Sequence, residues 1–167
     1  MSPKTASQEQ KLLNHVLGRA LSGKGAHVAA AGAFSGIDVE TAGARPSGLP
    51  HSLYQILSHI VFWQNWAVEW LDGEDPRIPK HASGSWPEDA EPDSAAEWER
   101  SVRQFQKGLK ELEGRSEETD LQTKQGKQSR LEMLHTIASH NSYHIGEAVV
   151  LRQMLGKWPP PSGGLTW

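Results

Sequence analysis

The sequence predicts an all-α protein, most simply a four-helix bundle, on three observations. Four stretches repeat apolar residues at intervals of three and four, the period of one helix face. Stretches rich in glycine, proline and charge separate them, and no strand-like alternation or internal repeat interrupts the pattern. A chain of 167 residues is also the size of one domain, taken here as 1–167, and is long enough to bury a core. With 22% charged residues and a formal charge of −3 it has the composition of a soluble protein and lacks the basic excess of a nucleic-acid binder. It contains no cysteine, so disulfides and thiolate metal sites are excluded, and any metal must be held by nitrogen and oxygen. No apolar run approaches the ~20 residues that cross a bilayer. The polar start MSPKTASQEQ lacks the apolar segment of a signal peptide, so a cytoplasmic location is expected.

In chain order, residues 1–7 read as a frayed end. A first helix is expected over 8–31, with Leu12, Leu13, Val16, Leu17, Ala20, Leu21 and Val28 as its apolar residues; Gly18, Gly23 and Gly25 weaken it, and a break near Gly23 is the alternative. Residues 32–50 have loop composition. A second helix follows over 51–71, started by Pro50, with Leu53, Ile56, Leu57, Ile60, Trp63, Ala67 and Trp70 inward. The polar connection 72–93 carries four prolines. It exceeds the usual bundle loop of ~2–8 residues, so a crossover or a lid is expected. A third helix over 94–114 has Ala95, Trp98, Val102, Phe105 and Leu109 as its stripe, with Ser94 and Glu97 placed as a capping box. Residues 115–128 read as linker. The fourth helix spans 129–156, and the Pro-rich tail after it carries Trp158 and Trp167, which implies docking.

The fourth helix carries the chemistry. Its face runs Leu134, Ile137, His140, His144, Ala148, Leu151, Leu155, so two imidazoles lie one turn apart inside an apolar stripe. A buried imidazole without a partner loses its hydration. A pair at i and i+4 aims at one point, as helical metal ligands do. His59, mid-way along the second helix, can meet them whichever way the two helices run. Three neutral imidazoles leave an open position on zinc or a similar divalent ion. Glu147, one turn beyond His144, would orient an imidazole, act as a base, or be solvated; counted as a ligand, it makes the two-histidine, one-carboxylate set of non-haem iron. His135 falls on the wrong side of its helix. His51 stands two helical turns, roughly 12 Å, from His59. His27 reads as a packing or surface residue, and His81 lies in the connection. Trp63, Trp66 and Trp70 cover an arc wider than one inner face, which hints at a subunit interface and hence a homodimer.

The fourth helix, His140-x-x-x-His144 followed by Ile-Gly-Glu147 and then Leu151-Arg152-Gln-Met-Leu-Gly156 with a Pro-rich tail, resembles the DinB/YfiT-like superfamily. So does the second helix, where LYQILSHIVFWQNWAVEWLDG places His59 ahead of an aromatic run. The resemblance covers most of the chain. It implies an up-down-down-up four-helix bundle whose crossover is the segment 72–93. It also implies a divalent metal, commonly nickel or zinc, held at the positions of His59, His140 and His144. Many members of that superfamily carry Gln where this chain has Glu147. Their known activities are mostly thiol chemistry, including bacillithiol transferases and mycothiol-dependent isomerases or transferases. The function this implies is a metal-dependent thiol S-transferase, with a small-molecule thiol and an electrophile as substrates and no nucleic-acid or membrane partner. A metal-holding structural dimer and a metal-dependent hydrolase are the alternatives on the same site.

Overall fold

The computed structural model describes residues 7–118 and 120–164; the expected frayed start and Trp167 fall outside them, apart from Ser7. Four long helices form the body: α1 (Gln8–Ser22), α3 (Leu53–Leu71), α4 (Ala95–Ser116) and α5 (Arg130–Met154). A one-turn helix, α2 (Val39–Gly43), precedes α3, and a two-residue hairpin, β1 (Lys124–Gln125) with β2 (Gln128–Ser129), precedes α5. Among the described residues no helix is long and apolar enough to cross a membrane.

Side-chain contacts fix the helix directions. Tyr54 donates to Glu97 and Gln64 packs on Gly108, so α3 and α4 run the same way. Ile56 faces Gly146 to Leu151 while Ala67 faces Met133 and Ile137, so α5 opposes α3. Asn14 reaches the Glu117 carbonyl and Gln106 the Ala31 carbonyl, so α1 opposes α4. The long segment 72–94 is what returns the chain to the starting end for α4. Gly108 sets the α3/α4 approach: a Cβ there would meet Gln64 Oε1 at 2.6 Å.

Local signals start the long helices. Ser52 and Gln55 form a reciprocal capping box at α3, as do Ser129 and Glu132 at α5. Ser52, not Pro50, is therefore the cap of α3, and His51 lies outside the helix. At α4 only half of the expected box forms: Ser94 accepts from the Glu97 backbone, while the Glu97 carboxylate takes the Asp93 N–H instead. Helix α1 ends at Gly23, whose φ of 71° is the left-handed conformation that glycine adopts freely. The first helix is thus shorter than 8–31. Within it Leu17 and Leu21 point into the core, whereas Leu12 (62% exposed) and Val16 (55%) face outward with Ala20.

The largest departure from expectation is residues 32–50. Ala33, Phe34, Ile37 and Ala42 are buried core, Phe34 meets Trp98 and Phe105 edge-on, and Trp98 donates to the Ile37 carbonyl at 2.8 Å. Arg152 fastens this segment. It is 1% exposed and donates to the carbonyls of Ala33 (2.7 Å), Ser35 (2.9 Å) and Lys157 (3.1 and 2.9 Å), with no carboxylate partner among the described residues. A charge so placed is tolerable because it sits in the last turn of α5, where the helix carbonyls carry partial negative charge; burial nonetheless lowers its pKa. The tail docks on the same segment, with Ser162 beside Gly32 and Pro161 beside Gly36. Trp158 packs half-buried against the core, as the tail's composition suggested.

Arg152→Met should strand those carbonyls and lower stability by about 2–4 kcal/mol. Arg103→Ala, which breaks only an ion pair whose side chains are 66% and 68% exposed, should change stability by less than about 0.5 kcal/mol. Urea denaturation of both variants checks the contrast.

Candidate metal centre

The opposed α3 and α5 bring His59, His140 and His144 together, each offering a ring nitrogen within 4.8 Å of the others. His59 is 6% exposed, His144 7%, and His140 is half-buried. The Nε2 atoms of His59 and His140 lie 3.1 Å apart. Two imidazoles sharing one tetrahedral ion at ~2.0–2.1 Å would hold their nitrogens ~3.3 Å apart, so the spacing suits a common ion.

Two of the rings are oriented from behind. His59 Nδ1 bonds the Ser85 carbonyl at 3.2 Å, and His144 Nδ1 bonds Glu147 at 2.5 Å. Each contact places the N–H on Nδ1 and leaves Nε2 with its lone pair, the tautomer a metal ligand needs. Glu147 therefore touches a candidate ligand through its far nitrogen. His140 has no such partner: its Nδ1 is buried and unbonded, and the neighbouring Asn141 amide, 1% exposed, is unbonded too. Burial, reinforced by the His144 imidazole nearby, holds His59 and His140 down to about 4, so both are neutral donors at pH 7. The donor set fits a divalent metal ion.

The segment 72–94 roofs this cluster. A 3₁₀ turn at Ala82–Ser85 delivers the Ser85 carbonyl, and the following Trp86 stacks on His59 with ring centres 3.8 Å apart. On its other face Trp86 stacks on His51 at 3.6 Å. His51 is thus outside the triad, and because it precedes the helix it stands nearer His59 than helical rise implied, bordering the site through the indole. Sequence reasoning missed Ser85 and Trp86. The one available signal was a lone tryptophan inside a polar, proline-rich connection. His27 bonds Ser142 and the Val28 carbonyl, while His135 and His81 are exposed, so none joins the cluster.

Two clefts flank the triad along the α3/α5 groove. One, of about 330 Å³, includes Leu49, His51, Ile56, Gly146, Glu147 and Val150. The other, of about 310 Å³, includes Trp63, Trp66, Met133, Ile137 and His140. The six described tryptophans are all buried or half-buried within the chain, so they do not supply the uncovered surface that the sequence suggested for a dimer.

A helical bundle with three converging imidazoles, two buried and one half-buried, and no cysteine defines a candidate divalent-metal protein. The sequence profile of the DinB superfamily matches residues 26–148, and the chain belongs to that superfamily. No curated protein and no solved structure gives a significant match.

Because the folded pKa values of His59 and His140 lie below the ordinary 6.5, the unfolded chain binds more protons than the folded one between about 6.5 and about 4. The stability of metal-free protein should be full above that window and decline as pH falls through it. Denaturation midpoints of wild type should show the decline, and the double variant His59→Gln/His140→Gln should show a shallower one.

Proposed function

We propose that the protein is a divalent-metal-dependent enzyme that joins a thiol to a small electrophile. The observation that carries this reading is the triad itself: three converging imidazoles that no fourth side chain joins among the described residues. Zinc or nickel suits that donor set, and when bound it supplies a Lewis acid that favours ionisation of a thiol near neutral pH. The chain's own residues prepare the place. Ser85 and Glu147 fix the tautomers of His59 and His144, and Trp86 keeps water from the stacked face of His59. The two clefts give two reactants separate seats beside the same cluster. In the transfer the thiol gives up its proton to solvent, its sulfur forms a bond to the electrophile's carbon, and the leaving group departs with the bonding pair.

We also propose a homodimer in which α1 is covered, supported by its exposed Leu12 and Val16. Light scattering at micromolar concentration should report twice the monomer mass, and a monomer would remove this proposal.

His144→Ala should abolish both metal retention and thiol conjugation while leaving helical circular dichroism unchanged. Glu147→Gln should keep the metal but weaken its hold by ~10–100-fold at most, and should alter the rate or its pH dependence. The assay is a panel of small thiols with chlorodinitrobenzene, with and without chelator. Metal binding with every rate at the uncatalysed background would leave a metal-holding protein and overturn the transferase reading.

A further inference from the structure

Mid-way along α5, between His144 and the helix end, stands Gly146. Glycine is among the poorest helix formers, and close packing is the usual reason to find it inside a helix. Packing does not explain it here: a Cβ built at Gly146 meets no atom within 4 Å. The residue is exposed, and the space a side chain would fill belongs to the cleft of about 330 Å³ beside the triad.

The walls of that cleft touch the candidate metal centre on two sides. Glu147 holds His144 through Nδ1, and Tyr143 lies against the same ring with centroids 5.0 Å apart. Across from them His51 is stacked on Trp86, which in turn is stacked on His59. The remaining surface is aliphatic, from Leu49, Ile56, Val150 and Leu151. Glu147 is the one acidic residue of the lining, and no lysine or arginine is part of it. Arg45 donates to the Pro50 carbonyl at 3.3 Å but is exposed and does not line the cleft.

We propose that the Gly146 cleft is the seat of the electrophilic substrate, and that it selects a compact apolar molecule carrying a hydrogen-bond donor and no anionic group. The apolar walls bind the body of the molecule, and a carboxylate with no cation beside it repels an anion while accepting from an amine or hydroxyl. The absent side chain at residue 146 keeps the floor open. The assignment rests on the metal-dependent transferase reading for the word substrate, but the binding it describes does not require turnover.

Three probes of one size separate the charge types: phenethylamine, phenethyl alcohol and phenylacetate. Titrated into the isotope-labelled full chain, with and without zinc, the amine and the alcohol should shift the backbone amides of residues 146–151. Phenylacetate should bind at least about tenfold more weakly. Gly146→Leu should weaken the amine and alcohol by about tenfold or more while keeping wild-type zinc affinity and an equal or higher Tm. Val150→Trp, which closes the cleft from an exposed position, should give the same loss without touching the glycine. Equal probe affinity in wild type and both variants, or a preference for phenylacetate, would overturn the proposal. Wild-type protein that binds these probes but conjugates no thiol would overturn the transferase reading and leave the cleft's selectivity standing.

Discussion

Three imidazoles gathered in one desolvated place constrain everything around them. Burial and the neighbouring His144 imidazole hold two of them, His59 and His140, neutral down to about 4. A ring that turns one nitrogen inward needs an acceptor for the N–H on the other, which His59 and His144 find and His140 does not. For His59 the acceptor is a backbone carbonyl from Ser85, twenty-six positions along the chain. The connection after α3 must be long enough to climb back along the bundle and present that carbonyl. Its length, which looks extravagant for a bundle loop, is partly a consequence of this one hydrogen bond and of the indole that follows it.

The same site needs α3 and α5 held in a fixed register, and the core does this with unequal materials. Leu57, Ile60, Leu134 and Ile145 are fully buried and contribute on the order of 1.5–3 kcal/mol each. Gln64 and Asn141 occupy equally buried positions with their amides unbonded, an arrangement that weakens the core locally. Arg152 offsets this elsewhere, because its guanidinium ties together the backbone of residues 33–35, the end of α5 and the start of the tail. The strongest polar anchoring therefore lies at the end of α5 beyond the candidate site, where rigidity does not hinder access to the clefts.

Helix periodicity made the four long elements and the histidine triad legible, because burial on one face writes itself into every third or fourth residue. Caps are less legible: the expected box at Ser94 and Glu97 forms only in half, because Glu97 takes the Asp93 N–H, while the full boxes at Ser52 and Ser129 were not among the expectations. Other features are not local. The segment around Phe34 reads as loop because its alanines and glycines lack periodicity, yet small residues are what allow it to pack beneath Trp98. Leu12, Leu13, Val16 and Leu17 belong to two faces of α1, and only the partner helices decide which one is inside. His51 was placed by helical rise, a rule that lapses one residue before the Ser52 cap. The Ser85 carbonyl has no side-chain signature at all, and only its neighbour Trp86 hinted that the connection returns to the core.

The carboxylate at residue 147 gives the candidate site a charge that a glutamine there would lack. Glutamine would also accept a hydrogen bond from His144 Nδ1, but without charge. A carboxylate makes the imidazole a stronger donor and leaves the triad with one negative charge in its surroundings. A divalent cation then brings the sum to one positive charge, and a single additional anion makes it neutral. Burying a neutral cluster is far less costly than burying a charged one. On the proposed transferase reading this balance would favour one anionic reactant, such as an ionised thiol, and disfavour a second. The cleft at Gly146 would follow the same rule once that anion is in place, since it borders Glu147 and has no lysine or arginine in its lining. Charge at residue 147 and space at residue 146 would then sort the two proposed reactants by opposite preferences, one ionised and one not, within a single turn of α5.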